Sequence, residues 1–158
     1  MRLLRHLFTL PGSVARAFGD FATIEKAIAD SERTHGGEIR FAVEHALDPA
    51  LLLKRISPRE RALQVFAELG VWDTERNNGV LLYLLLADHD VEIVADRGFN
   101  GKVSAAEWED VCRAMEAQLR AGRHEAAVLE GIGRIAALIA RSYPAADRNE
   151  LPDRAVRL

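Results

Sequence analysis

The sequence predicts an α/β domain in which a small mixed sheet carries helices on both faces. Segments with strand-like patterns alternate with segments of helical periodicity, so that helices connect neighbouring strands and make them partly parallel. Residues 80–87 are apolar without interruption, as in a strand buried on both faces. The chain has 158 residues, 49% of them hydrophobic and 28% charged, which is typical of one globular domain.

The first half of the chain predicts two helices separated by a strand. Asp20 is expected to cap a helix that ends before the Gly36-Gly37 pair. Residues 38–44 alternate charged with apolar side chains, which predicts a strand with one solvent-exposed face. The capping-box pattern at residues 57–60 starts a second helix, for which Gly70 is the expected stop.

The second half predicts a hairpin followed by two helices. Residues 79–86 form the central strand, and the turn 88–90 returns the chain as an antiparallel strand over 91–94. Helices are expected over 104–122, which opens with a capping box, and over 124–143. In open sheets of this kind, sites form in loops beyond the carboxyl ends of the strands.

No linker or repeat divides the chain, and three segments are distinguished. Residues 1–18 are an N-terminal basic amphipathic segment, 19–144 the folded domain, and 145–158 a C-terminal tail packed along the surface. Two interpretations of the first segment stay open. Its leucines dock on the domain, or its mixed basic and apolar residues give a weak peripheral contact with anionic lipid. No apolar run approaches the roughly 20 residues that span a bilayer.

Several kinds of chemistry are excluded by residue type and spacing. No histidine pair has zinc-site spacing, and no phosphate-binding loop or nucleophile elbow occurs. Cys112 is the single cysteine, which rules out an intramolecular disulfide and suits a reducing compartment. It lies on an apolar helix stripe and is expected to be a buried small hydrophobe. The net charge of −3 and the sparse aromatic residues argue against nucleic-acid binding.

After these exclusions, carboxylate side chains remain as the main candidate functional groups. Residues 73–96 contain six acidic side chains and one basic side chain. Calcium and magnesium choose oxygen ligands of this kind, whereas solvation of turns is the alternative explanation. The pair Asp88 and Asp90 after an apolar strand resembles the aspartates of haloacid-dehalogenase-type phosphatases, but the later magnesium ligands are missing. A helix-loop-helix calcium loop starting at Asp88 would place Ile93 where glycine is required.

Three motifs together resemble the TPM domain, the thylakoid acid-phosphatase-like family. They are Gly37-Glu38-Ile39-Arg40 at the first strand, residues 71–81 (VWDTERNNGVL) entering the second, and residues 92–98 (EIVADRG) leaving the third. Trp108 follows the third motif, and a long helix closes a similarity that runs over residues 21–143. The resemblance implies an α/β/α sandwich, a divalent-cation site in the loops at one end of the sheet, and phosphatase activity in some members.

We therefore expect weak binding of Ca²⁺ or Mg²⁺ in the loops around the central strands. The candidate metal ligands are Asp96 first, then Glu75, Asn77 and Asn78, and after them Asp73 and Asp90. The alternative is that Arg76 pairs with a nearby acid and that residues 77–79 form only a turn before the strand. No catalytic residue is assigned.

The expected function is that of a non-enzymatic, divalent-metal-binding adaptor domain with a protein partner near the membrane. A metal-dependent phosphatase acting on small phosphate esters is the alternative. Many members of the family carry a signal peptide and a transmembrane helix, and this sequence shows neither pattern. It therefore looks like the short stand-alone bacterial subgroup. A cytoplasmic location, peripheral to the inner membrane through residues 1–18, is expected.

Overall fold

The computed structural model describes residues 4–6, 12–146 and 148–158. The strands are β1 (Glu38–Glu44), β2 (Gly79–Leu85), β3 (Asp90–Ala95) and β4 (Val156–Arg157). The helices are α1 (Ser13–Phe18), α2 (Ala22–Glu32), α3 (Pro49–Leu53), α4 (Pro58–Glu68), α5 (Ala105–Arg120) and α6 (His124–Ser142). Residues 4–6 are helical as well, and short 3₁₀ turns follow β2 and β3.

The strands form one mixed sheet in the order β3-β2-β1-β4. Strand β1 runs parallel to β2 and to β4, whereas β3 pairs antiparallel with β2. The predicted central strand, hairpin and partly parallel sheet are confirmed. Sequence patterns missed α3, which Asp48 caps, and β4, a two-residue strand in the C-terminal tail.

Both faces of β2 are buried, so its unbroken apolar run has a direct structural cause. Leu82 and Leu84 belong to the core that α1, α2, α5 and α6 cover. Leu81, Tyr83 and Leu85 belong to a second core on the opposite face, beneath α4 and the C-terminal tail. The two cores make the three-layer α/β/α sandwich that the family resemblance implied.

The prediction of a solvent-exposed face on β1 is wrong. Glu38, Arg40 and Glu44 are only 4%, 7% and 7% exposed. Burial of charges is tolerated because each finds partners on the covering segments. The Glu44 carboxylate accepts hydrogen bonds from Arg61 Nε at 3.0 Å and from the Tyr83 hydroxyl at 2.6 Å. The alternating polarity therefore predicted the strand correctly but predicted its exposure wrongly.

The C-terminal tail supplies the partners for the other two charged side chains of β1. Arg40 donates to the backbone carbonyls of Pro152 and Arg154. The Glu38 carboxylate accepts from the backbone N–H of Leu151 at 3.1 Å. The tail is thus fixed to the sheet by charge-assisted hydrogen bonds as well as by the β4 ladder.

The N-terminal segment contacts the domain through a histidine. His6 Nδ1 accepts from the Leu47 N–H at 2.9 Å, and its Nε2 lies 3.1 Å from the Asp88 carboxylate. Val14 and Phe18 are buried, whereas Leu4 is 55% exposed. The docking prediction for positions 3, 7 and 10 lies outside the described residues. In the part of the chain that the structure describes, no helix is both long and apolar enough to cross a membrane.

Candidate functional site

A polar junction of loops lies at the amino ends of β1 and β2. We call it the amino-end cluster and define it as residues 36–37, 76–79, 96–98 and Tyr143. The β2–β3 hairpin returns the chain antiparallel, so the end of β3 meets the loops that precede β1 and β2. The general expectation of a site beyond the carboxyl ends of the parallel strands therefore does not describe this cluster.

Backbone hydrogen bonds hold these loops together at close range. Asp96 N–H donates to the Gly79 carbonyl at 2.9 Å, and Gly98 N–H donates to the Asn77 carbonyl at 2.9 Å. A Cβ atom on Gly98 would lie 2.3 Å from that Asn77 carbonyl oxygen, and one on Gly79 would lie 2.1 Å from the Val71 carbonyl oxygen. Only glycine permits this approach of one backbone to another.

Asn78 lies at the centre of the cluster and is 1% exposed. Its backbone N–H donates to the Thr74 hydroxyl at 3.1 Å, and its side-chain Nδ2 donates to the Gly36 carbonyl. The second bond fixes the orientation of the amide, because a carbonyl oxygen requires the NH₂ group as its partner. The Asn78 Oδ1 atom is left buried with no hydrogen-bond partner.

Asp96 ends β3 and caps the 3₁₀ turn that follows it. Its Oδ1 accepts from the Arg97 N–H at 2.7 Å, while its Oδ2 is buried and accepts no hydrogen bond. Buried oxygens without partners are unusual, since no hydrogen bond within the protein replaces those that they lose with water. A carboxylate oxygen and an amide oxygen are both ligand types that Ca²⁺ and Mg²⁺ prefer. Asp96 and Asn78 therefore each offer an oxygen of a type that hard cations bind.

The other predicted ligands are not equally suited. Asn77 Oδ1 already accepts from Arg97 Nε at 3.1 Å. Glu75 and Asp73 are exposed on the loop before β2. Asp90 pairs with Leu85 at the far end of the hairpin, so the length of β3 separates it from Asp96. Within the described residues, no three His, Cys, Asp or Glu side chains gather into a metal-binding group.

Sequence reasoning missed the role of Tyr143, which it treated only as the end of a helix. The Tyr143 hydroxyl donates to the Gly98 carbonyl at 2.6 Å. Lys102 Nζ and Arg76 Cζ lie 4.1 and 4.8 Å from the centre of its ring. These are cation–π distances, so two positively charged side chains lie against the ring at the edge of the amino-end cluster. The only sequence signal for this role of Tyr143 was the position of an aromatic residue directly before Pro144.

Cys112 lies on α5, in the wall of a groove of about 650 Å³ that reaches from Asp96 along β3. Burial is the main cause that raises the pKa of its thiol to about 12. The thiol is therefore protonated at neutral pH and is a poor nucleophile. This agrees with the expected role of Cys112 as a small hydrophobe.

The fold and the loop cluster define an α/β/α sandwich with a polar site at the amino ends of its central strands. The profile of the TPM domain matches residues 19–138, and the chain belongs to the TPM domain family. This confirms the resemblance seen in the sequence motifs.

The solved structures that are similar to this chain include the following two. The NMR structure of the BA42 protein from the psychrophilic bacterium Bizionia argentinensis has a TM-score of 0.77 and 29% identity, covering 89% of this chain and 94% of that one. The N-terminal domain of a P. gingivalis protein shares the fold, with a TM-score of 0.63, 14% identity and coverages of 90% and 84%. No curated protein sequence matches the chain.

Proposed function

We propose that the domain is a non-enzymatic adaptor that binds Ca²⁺ or Mg²⁺ weakly at the amino-end cluster. The observation that carries the proposal is the pair of buried oxygens without partners, Asp96 Oδ2 and Asn78 Oδ1. They lie on two loops that the Asp96-to-Gly79 hydrogen bond joins. One carboxylate and one amide are fewer protein ligands than a high-affinity calcium site has, so waters would complete the shell and binding would be weak.

The bound ion would act on the loops rather than on a substrate. Its positive charge would offset the cost of burying the Asp96 carboxylate. It would also tie the turn after β3 to the loop before β2, which carries Asn78. The expected consequence is greater order and stability of both loops when the ion is present.

The loop before β2 also carries an exposed tryptophan suited to partner binding. Trp72 is 53% exposed, and its indole Nε1 donates to the Ala67 carbonyl at 3.4 Å. Exposed tryptophans are enriched among residues that dominate protein interfaces. We propose that cation binding orders the presentation of Trp72 to a membrane-associated protein partner. A weak contact of residues 1–18 with the membrane would add a second attachment.

A metal-dependent phosphatase is the second candidate, and the basic side chains near Asp96 favour it. Arg97 hydrogen-bonds to Asn77, and Arg76 and Lys102 lie over the Tyr143 ring. Positive groups of this kind stabilise a phosphoryl group, and a bound divalent ion supplies Lewis acidity and an activated water. We favour the adaptor because, within the described residues of this cluster, Asp96 is the one carboxylate side chain placed to take part.

Calorimetric titration with Ca²⁺ and Mg²⁺ tests the metal site. Asp96→Asn keeps the side-chain oxygen that caps Arg97 but removes the charge, so we expect it to abolish a saturable heat seen in the parent. Asp73→Asn is the matched control, since Asp73 lies exposed on the neighbouring loop, and should leave the heat unchanged. A chelator-treated parent protein that gives no heat above dilution would contradict the proposal.

The same variants separate the adaptor from the phosphatase. Hydrolysis of a generic phosphate ester that requires the metal and disappears in Asp96→Asn would establish the enzyme. Metal binding and thermal stabilisation without turnover would support the adaptor. Hydrolysis that survives Asp96→Asn would show that the activity does not come from this site.

A further inference from the structure

A cavity of about 870 Å³ opens beyond the carboxyl end of β2, at the opposite end of the sheet from the amino-end cluster. We call it the carboxyl-end cavity. Its charged and titratable lining residues in the described part of the chain are Arg5, Arg16, Asp88, His89, Arg120 and His124. They come from the N-terminal segment, the turn after β2, the end of α5 and the start of α6.

The charge of this cavity is opposite to that of the chain. Its lining contains three arginines and one carboxylate, Asp88, whereas the whole chain has a net charge of −3 when histidines are counted as neutral. Asp88 lies 3.1 Å from His6 Nε2, so it is already engaged with the N-terminal segment. A concave surface with one dominant sign of charge concentrates ions of the other sign. The cavity is therefore suited to an anion.

The cavity also offers hydrogen-bond donors that the described protein atoms do not use. Among the described residues, no carboxylate pairs with Arg16, whereas Arg120 NH1 forms an i,i+4 ion pair with the Glu116 carboxylate at 3.7 Å. The Ser13 hydroxyl lines the cavity and is buried without a hydrogen-bond partner. Arginine forks and hydroxyl groups are common donors to phosphate oxygens.

The start of α6 adds backbone donors on the same side. No side chain caps this 19-residue helix, and its first residue, His124, lines the cavity. Unpaired N–H groups and the helix dipole both favour an anion at such an end. Burial, and then the neighbouring His89, lower the pKa of His124. An anion held near the two rings would oppose this mutual repulsion.

We infer that the carboxyl-end cavity is a binding site for a phosphate group, carried either by a small phosphate monoester or by a lipid headgroup. The volume lies in the usual range for small-molecule sites and exceeds what inorganic phosphate alone would fill. The inference is independent of the proposed cation site, since the two lie at opposite ends of β2. It also gives Arg5 and Arg16 a more specific role than a diffuse attraction to lipid.

Titration with inorganic phosphate, followed by the amide signals in ¹⁵N–¹H NMR spectra, tests the site in the full chain. We expect saturable shifts at His89 and His124 in the parent protein. Arg16→Gln should weaken phosphate binding by about tenfold, the loss of one charge-assisted hydrogen bond. Arg33→Gln is the matched control, because its side chain is 77% exposed and lies outside the cavity. It should bind phosphate like the parent.

Vesicle sedimentation distinguishes the two sources of the phosphate group. Phosphatidylglycerol vesicles that retain the parent and Arg33→Gln but release Arg16→Gln would assign the site to a lipid headgroup. Saturable phosphate binding without vesicle retention would assign it to a soluble monoester. Phosphate and vesicle responses that are both absent, or equal in Arg16→Gln and Arg33→Gln, would overturn the inference.

Discussion

The two ends of the central strand β2 are built in different ways. At its amino end, backbone packs on backbone, and glycines bring carbonyls and N–H groups within hydrogen-bond reach. At its carboxyl end, long basic side chains and histidines surround an open cavity. The amino end has no room for an added atom. At the carboxyl end, side-chain substitutions are expected to change the charge of the cavity without disturbing the packing.

This difference underlies the two different ligands that we propose. Two buried oxygens in tight loops, Asp96 Oδ2 and Asn78 Oδ1, can accept a small, hard cation. A wide basic cavity suits a larger anion. Substitutions at the amino end are therefore expected to change stability most, and those at the carboxyl end to change binding most.

The largest expected effect is that of Gly79→Ala at the amino end. The new Cβ would lie 2.1 Å from the Val71 carbonyl oxygen, a backbone atom that cannot move without displacing the loop. We expect the free energy of unfolding to fall by about 3 kcal/mol in urea titrations. Gly133→Ala is the control, because nothing lies within 4 Å of its Cβ and the site is helical. It should be neutral or slightly stabilising. Equal stabilities of the two variants would contradict the close packing of the amino end.

His6→Ala breaks the attachment of the N-terminal segment at the carboxyl end. It removes the acceptor of the Leu47 N–H and the contact with Asp88. A buried donor left unpaired costs about 2 kcal/mol, so we expect a lower melting temperature. Leu4→Ala, at a residue that is 55% exposed, should melt close to the parent. Parent-like melting of His6→Ala would show that the contacts of His6 do not hold the segment to the domain.

A smaller effect is expected from titration of Glu32, which holds the start of β1 at the amino end. Its carboxylate accepts from the Ile39 N–H, and burial, aided by Glu38 and Asp153, raises its pKa to about 9. The folded state then keeps a proton that the unfolded state loses near pH 4.5. Stability therefore falls as pH rises through this window.

Glu32→Gln carries no titrating proton and should remove this fall. We expect urea titrations at pH 5, 7 and 9 to show a pH dependence that is flatter than the parent's by about 1 kcal/mol or more. Glu109→Gln, at a side chain that is 68% exposed, is the control and should follow the parent. A parent-like slope in Glu32→Gln would contradict the raised pKa.

The smallest expected change is spectroscopic and concerns Trp72. If a cation orders the loop before β2, titration with Ca²⁺ should change the tryptophan fluorescence of the parent. Trp72→Phe should abolish the change, whereas Trp108→Phe, at the ring that packs on Phe99 at 5.8 Å between ring centres, should keep it. A fluorescence change that persists in Trp72→Phe would show that the loop does not carry the response.

Local patterns predicted the elements of this fold well. The capping boxes at Ser57 and Ser104 are present, and residues 79–85 form the buried central strand. The exposure of β1 could not be predicted, because the partners of Arg40 and Glu38 are more than 100 residues away in the C-terminal tail. Long-range contacts of this kind do not affect the local alternation of charged and apolar residues, so the pattern does not reveal them.

The candidate site was only partly predictable, because long-range contacts also bring its residues together. Asp96 and Asn78 follow from motifs that flank strands, and the hairpin register brings those flanks together. The same register takes Asp90 to the other end, which composition alone did not reveal. The contact of Tyr143 with Gly98 depends on how α6 returns across the sheet, and spacing along the chain does not encode it.

The contrast between the two ends is tested most directly by amide chemical shifts of the full chain, recorded first with Ca²⁺ and then with phosphate. We expect Ca²⁺ to move the signals of Asn78, Gly79 and residues 96–98, and to leave His89 and His124 in place. Phosphate should do the reverse. Calcium shifts confined to Asp88 and Asp90, or absent altogether, would contradict the assignment of the cation to the amino end.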